Sequence, residues 1–317
     1  MDFEYCVENF DTIESISNRF DVPVDAIVEL NHITGSLPKV LKIPVQSKGG
    51  YAVLLNFKRE YLAFKNSDKV RINLAKLNEH NNNVNSYGND LKDGTNFALL
   101  LRTLASLDGD FKIKFMSSHP KDFSDEVIDT IAKYDKIAKV IHLPVQSGST
   151  AILKSMNRNY TREHYLKLVN RIKSTIPNVY LSTDIIVGFP GETEEDFMDT
   201  YTMVEEVKYD GVFAFIYSKR SGTIAANMDN QIPEDVKNAR VNKLLALTKS
   251  ITKENNIAIV GGDYNVIIKD KLDDGYLALT DSGKNITILT NETLDIGEFY
   301  TAHIECFKNN KLYAKII

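Results

Sequence analysis

The sequence predicts an α/β protein. A run of parallel βα units is preceded by a small βααβ module and followed by a small all-β barrel. Three observations carry this. Strand-like runs near Val84, Phe111, Val140, Leu181 and Val212 recur at intervals of roughly 30 residues with amphipathic helices between them, as βα units with right-handed crossovers require. Two helical patterns lie between two strand patterns from Tyr5 to Val45. From Tyr264 onward, short strand patterns alternate with turns such as Asp273-Asp274-Gly275 and Ser282-Gly283-Lys284.

In the first module, Tyr5-Cys6-Val7 reads as a strand. Asp11 and Glu14 form a capping box for a helix that turns Ile13, Ile16 and Phe20 to one face. Pro23 suits the first turn of a second helix, which carries Ile27 and Leu30 inward and ends near Asn31. Lys39 to Pro44 reads as the second strand. Residues 47–82 read as a linker of unknown structure, with Tyr51 to Phe57 strand-like and Leu74 to Asn83 mostly polar.

The βα region spans residues 83–232. Phe97, Leu100, Leu101 and Leu104 mark one helix, and Ser124 caps a second that bears Val127, Ile128 and Ile131. Tyr165, Leu168, Val169 and Ile172 follow the i, i+3, i+4, i+7 spacing of a third. Thr193 and Asp196 form a capping box for a fourth, which buries Phe197, Tyr201 and Val204. Pro233 opens a long connecting helix over 233–257 through Leu244, Leu247 and Ile251, and residues 258–317 form the terminal barrel.

The chain has 317 residues, 43% hydrophobic and 26% charged, as expected of a soluble globular protein of two or three domains. Its net charge of −5 does not advertise nucleic-acid binding, and the terminal segment carries nine acids against six lysines. No apolar run approaches the ~20 residues of a membrane span, and no export signal is visible, so a cytoplasmic protein without membrane contact is expected. The two cysteines, Cys6 and Cys306, exclude a disulfide framework and are not spaced as metal ligands.

The strings "IHLPVQSGS", "MNRNYTREHY" and "STDIIVGFPGETEEDF" resemble the radical-SAM methylthiotransferases, and the MiaB-type tRNA enzymes in particular, from about Val84 to the C-terminus. "VNSYGNDL" is similar to the end of their second barrel strand. "YCVENFDTIESISNRFDVPVDAIVELNHI" with "LKIPV" resembles a LysM module, although Phe10 stands where that family often has glycine. The terminal barrel, by its position after such a core, is similar to a TRAM domain. The implied architecture is an incomplete radical-SAM βα partial barrel lacking its first strand, between a LysM-like module (1–46) and a TRAM-like barrel.

The resemblance implies 2-methylthiolation of an N6-isopentenyl-type adenosine next to the tRNA anticodon. That chemistry uses S-adenosylmethionine on a [4Fe–4S] cluster held by a CxxxCxxC loop, with a second cluster on an N-terminal domain. Residues 45–83 hold no cysteine. No residue is therefore assigned to catalysis or to a metal, no cluster is expected on this chain, and S-adenosylmethionine binding is expected to be weak. The family match places Asn85, Ser86, Ser118, His119, Gln146, Ser147, Arg158, Gly188, Gly191 and Glu192 at successive strand ends as the cofactor pocket. Asp11, Thr12, Asn31 and Ile33 would line the LysM groove for an N-acetylglucosamine polymer. His142 reads as a satisfied core histidine. The expected reading is a descendant of the tRNA enzymes that is inactive alone, or that relies on a partner chain to supply the missing half of the barrel. The alternatives are a non-catalytic RNA- or glycan-binding fusion and a fusion fragment without selected function.

Overall fold

The computed structural model describes residues 2–6, 40–44, 50–54 and 62–63 as backbone strands, and residues 84–88, 94–107, 111–116 and 118–317 with their side chains. Strands β1 (Asp2–Cys6) and β2 (Val40–Pro44) pair antiparallel, with Asp2 opposite Pro44 and Cys6 opposite Val40. This is the strand pairing that a βααβ module needs. The two expected helices, and with them Asp11, Thr12, Asn31 and Ile33, lie outside the described residues.

Residues 47–82 contain more than a linker. Strand β3 (Gly50–Leu54) runs parallel to β5 (Phe111–Phe115), and β4 (Leu62–Ala63) pairs antiparallel on its far side. The strand expected to end at Val84 is not there: Val84–Ser86 is a single buried 3-10 turn. The edge of β5 is covered by β3 instead, which satisfies backbone groups that an open edge would leave unpaired.

Helix α1 (Phe97–Ala105) buries Phe97, Leu101 and Leu104, and Phe97 meets Phe115 of β5 edge-on. Helix α2 (Asp125–Lys133) is capped by Ser124, as its sequence predicts. A second sheet follows in the order β6 (Val140–His142), β7 (Tyr180–Val187), β8 (Gly211–Ile216), all parallel. Helices α3 (Thr150–Ser155), α4 (Arg162–Thr175) and α5 (Glu194–Val207) connect its strands. The two sheets share one core through Ile113, Ile128, Ile141, Tyr165, Leu181 and Phe197.

Helix α6 (Glu234–Ile257) starts at Pro233 and packs on β8 and α5. It leads into a closed five-stranded barrel, β9 (Asp263–Leu272), β10 (Gly275–Thr280), β11 (Asn285–Leu289), β12 (Phe299–Lys308) and β13 (Lys311–Ile316). The barrel has its own core of Val266, Ile268, Tyr276, Ile286, Ile288 and Ile304. These strands follow the predicted pattern because alternation and turn residues are both local signals.

Candidate ligand cleft at the strand ends

Parallel strands deliver side chains to their C-terminal ends, and a concavity lies there. It is a cleft of about 720 Å³ at the ends of β7 and β8 and the loops after β6 and α3. Its lining includes the apolar and aromatic side chains of Ile186, Phe189, Phe215 and Tyr217, the polar Gln146 and Asp184, and the arginines Arg158 and Arg220.

The wall carrying Gln146 is an irregular continuation of β6. Pro144 has no N–H to donate, so Leu143 to Val145 cannot complete a regular ladder. Side chains take over. Tyr165 Oη and Thr183 Oγ1 both donate to the Leu143 carbonyl, at 2.8 and 2.9 Å. Tyr160 Oη donates to the Val145 carbonyl at 3.0 Å, and Val145 N donates to Thr183 Oγ1 at 2.9 Å. Tyr209 Oη extends the chain to Tyr165 at 3.1 Å. Burial pushes the Tyr160 phenol up to about 12, and raises Tyr165 and Tyr209 as well, so all three remain neutral donors. The scaffold holds Gln146 at φ +73°, with its N–H on the Asp184 carbonyl and its carbonyl accepting from Ile186 N, both at 2.8 Å.

Around the turn after β7, Gly188 and Gly191 sit at φ +76° and +84°, where a side chain is strained. A Cβ on Gly188 would meet Lys237 Cγ at 2.4 Å, and one on Gly191 would meet Asn230 Nδ2 at 2.4 Å. The two glycines thus let the turn press against α6 and the segment before it. Glu192 turns inward: its Oε2 accepts from Gly188 N and from Arg240 Nη1, both at 2.8 Å. Burial raises the Glu192 pKa, against the opposing pull of the Gly188 N–H and the Arg240 guanidinium. Of this turn, only Phe189 reaches the cleft.

The predicted site residues therefore divide. Gln146 and Arg158 line the cleft. Gly188, Gly191 and Glu192 shape the turn behind it. Ser147 Oγ lies 3.3 Å from Thr200 Oγ1, and Ser149 caps α3 and donates to Asp196 at 2.5 Å, so these serines tie the loop to α5. Asn85 exchanges two 2.8 Å hydrogen bonds with the backbone of His119, and Ser86 donates to Asp122. His119 Nδ1 accepts from Lys121 N, and burial followed by the nearby Arg158 lowers its pKa. Ser118 Oγ is buried without a hydrogen-bond partner among the described residues. His142 is satisfied, as expected, 3.0 Å from Ser182 Oγ and 3.4 Å from Asp184. Phe215, Tyr217 and Arg220 were missed in the sequence. Their signal was the "FIYSKRSGT" string at the end of the last parallel strand.

No group of three or more His, Cys, Asp or Glu side chains among the described residues is arranged to hold a metal ion. Cys306 is exposed on β12 in the terminal barrel. A three-thiolate cluster does not fit these residues. No helix among the described residues is long and apolar enough to cross a membrane.

Residues 58–204 match the family model of the radical SAM superfamily, and residues 5–43 match that of the LysM domain. The superfamily match begins upstream of Val84, and it contains neither of the chain's cysteines. The chain is similar to the tRNA-2-methylthio-N(6)-dimethylallyladenosine synthase of Clostridium botulinum strain Langeland, 49% identical over 225 residues, which are 70% of this chain and 50% of that protein. The enzyme of the same description from Fusobacterium nucleatum is 45% identical over 237 residues, 74% of this chain and 54% of that one. Among solved structures, coproporphyrinogen III oxidase from Escherichia coli, described as a radical SAM enzyme, aligns with a TM-score of 0.38 at 19% identity, over 52% of this chain and 38% of that one. The chain spans about half the length of the curated relatives it matches. It thus joins a LysM domain to a radical SAM domain homologous to that of the tRNA-2-methylthio-N(6)-dimethylallyladenosine synthases.

Proposed function

We propose that this chain descends from a tRNA methylthiotransferase and keeps its nucleoside-binding cleft, but does not perform cluster-dependent radical chemistry alone. The cleft carries the reading: a lining that includes aromatic side chains and arginines, at the ends of parallel strands, in a chain about half identical to those synthases over 225 residues. Arg158 offers a planar fork to the carboxylate of S-adenosylmethionine. Phe189 and Phe215 offer ring faces to adenine, and Gln146 a side-chain amide. A [4Fe–4S] cluster would supply the electron that starts radical chemistry. It requires three thiolates close together, and Cys6 and Cys306 are the chain's two cysteines. No step is therefore routed through a cluster here. The terminal barrel is read as TRAM-like, and the protein as cytoplasmic.

Two measurements test this. Anaerobic reconstitution is expected to give no stoichiometric iron; about four irons per chain with a cluster absorption band would overturn the loss of chemistry. Calorimetric titration of S-adenosylmethionine is expected to show weak binding that disappears in Gly191→Val. A Kd of about 1 μM, or about −8 kcal/mol, would mean that the pocket is complete without a cluster. Equal binding by both proteins would reduce the glycine turn to a fold element.

The LysM match over residues 5–43 favours a second activity, binding of an N-acetylglucosamine polymer through Asp11, Thr12, Asn31 and Ile33. Retention on chitin that is lost in Thr12→Ala and Asn31→Ala variants supports it, and passage of the intact chain through the column removes it.

A further inference from the structure

Helix α6 and the terminal barrel enclose a second cavity, which shares no lining residue with the strand-end cleft. Its volume is about 210 Å³. Lys249, Thr252, Lys253 and Asn256 of α6 line it, together with Phe307 and Asn310 of the β12–β13 hairpin. The four helical positions follow the i, i+3, i+4, i+7 spacing, so a single face of α6 supplies them. The hairpin turns through Asn309 and Asn310 at φ +51° and +58°, the left-handed pair of a tight two-residue turn.

The donors on this wall are unspent. Among the described residues, neither Lys249 nor Lys253 has a carboxylate partner. Glu254, next to Lys253 in the chain, pairs with Lys208 at 3.4 Å, and Glu305 of β12 pairs with Lys315 at 3.2 Å. Thr248 Oγ1 donates to the Leu244 carbonyl at 2.9 Å, whereas Thr252, one turn on, makes no such bond and keeps its hydroxyl for the cavity. Asn256 Oδ1 accepts from Lys284 Nζ at 3.3 Å, which leaves the amide N–H groups to donate elsewhere. Two ammonium groups at i, i+4 repel one another. An anion between them replaces that repulsion with two charge-assisted hydrogen bonds. The hairpin adds positive potential without lining the cavity, since Lys308 and Lys311 stand opposite each other across the same turn.

We propose that this cavity binds a phosphate-class oxyanion, either inorganic phosphate or the phosphate of a small metabolite. Lys249 and Lys253 supply the charge, and Thr252, Asn256 and Asn310 supply hydrogen bonds. Size favours a small ion, because sites for drug-sized ligands run to roughly 300–1,000 Å³. A polynucleotide fits less well: it needs a groove that tracks successive phosphates, with aromatic faces for its bases, and here Phe307 is a half-buried wall of one closed recess. The bound ion would bridge helix and hairpin, so it would stabilise the docking of the barrel by mass action. This site is independent of the cleft and of the reading given for it.

The test is a phosphorus NMR titration of inorganic phosphate with the full chain, in chloride buffer at constant ionic strength. Saturable binding at one site per chain is expected. Lys249→Gln and Lys253→Gln should each raise Kd about tenfold, as expected for one lost charge-assisted contact. Asn310→Gly keeps the left-handed turn and removes only the amide, and should raise Kd by a smaller factor. Phosphate should also raise the melting temperature of the parent chain above its value in chloride, and leave that of the double lysine variant unmoved. Glycerol phosphate separates the two sources: tighter binding than inorganic phosphate assigns a phosphate monoester, and weaker binding assigns the free ion. No saturable binding by the parent overturns the proposal, as does a Kd unchanged in the double variant. A single-stranded oligoribonucleotide that displaces phosphate, and whose own binding is lost in the double variant, would assign these lysines to a polynucleotide and also overturn it.

Discussion

Glu192 shows what a buried carboxylate does when it faces a turn and not a ligand. Its side chain is 1% exposed and that of Arg240 8% exposed, so both charges have left water. Burial raises its pKa, which means that the guanidinium and the Gly188 N–H do not fully offset desolvation. The sign follows. A carboxyl with a folded pKa above its unfolded value binds protons more readily in the native state, so stability falls as pH rises from the ordinary carboxylate range through the raised pKa. Glu192→Gln keeps an acceptor for Gly188 and Arg240; it is expected to cost less than about 1.5 kcal/mol and to flatten that part of the pH profile. Glu192→Leu removes the acceptor and leaves Arg240 buried and half-paired, at a cost of about 3 kcal/mol in urea unfolding. Equal losses in both variants would mean that the charge itself, and not the acceptor, holds the turn. The sequence suggested this glutamate as a pocket residue because Gly188-Phe189-Pro190-Gly191-Glu192 is a local string. Its partner is 48 residues away, beyond the reach of any periodicity.

At the scale of elements, local signals were legible and lateral ones were not. Ser124 caps α2, and Thr193 with Asp196 forms the capping box of α5, both as read from spacing alone. What the spacing could not give is that Asp196 also accepts from Ser149, which ties the cap of α3 to the cap of α5. Burial would raise the Asp196 pKa, but the hydrogen bonds from Ser149 and Thr193 and the charge of Arg240 hold it below the usual range. A depressed carboxyl stabilises the fold above its unfolded pKa and loses that contribution as pH falls through the folded value. Ser149→Ala is expected to cost about 1–2 kcal/mol near neutral pH, by loss of the α3 cap and of the bridge, and less in acid. A cost that is the same at both pH values would show that only the cap matters. Gly148 belongs to the same seam. A Cβ there would meet Thr200 Cα at 2.4 Å, which is backbone that cannot step aside, so Gly148→Ala is expected to destabilise by about 1–3 kcal/mol. Likewise, the resemblance at Val84 suggested a strand where the chain makes a 3-10 turn. The strand that covers β5 comes from Gly50–Leu54, and a lone strand pattern carries no sign of its partner.

Over the whole molecule, the terminal barrel closes the end of the parallel sheet opposite the cleft. Its Asp281-to-Lys284 turn lies against the first residues of β6, β7 and β8. The Asp281 carbonyl accepts from Lys139 N at 3.2 Å, and Lys112 pairs with the Asp281 carboxylate at 2.9 Å. Lys284 Nζ reaches Asp210 Oδ1 at 2.7 Å and Asn256 Oδ1 at 3.3 Å, while Asp210 Oδ2 accepts from Leu181 N at 3.1 Å. One carboxylate thus ties the start of β7 to the barrel. Eight residues of β7 separate this end from the cleft, roughly 26 Å of strand. Lys284 and Asp210 have side chains only 10% and 13% exposed, and removing one partner strands the other away from water. Lys284→Met is expected to cost about 3 kcal/mol and to split a single calorimetric transition in two, as the barrel releases before the α/β core. Hydrogen exchange should then quicken in β9 to β13 and stay slow in β7. The double variant Lys284→Met with Asp210→Asn removes the stranded charge and should recover part of the loss. A single unshifted transition in Lys284→Met would mean that the contacts of Asp281 hold the barrel without the ion pair.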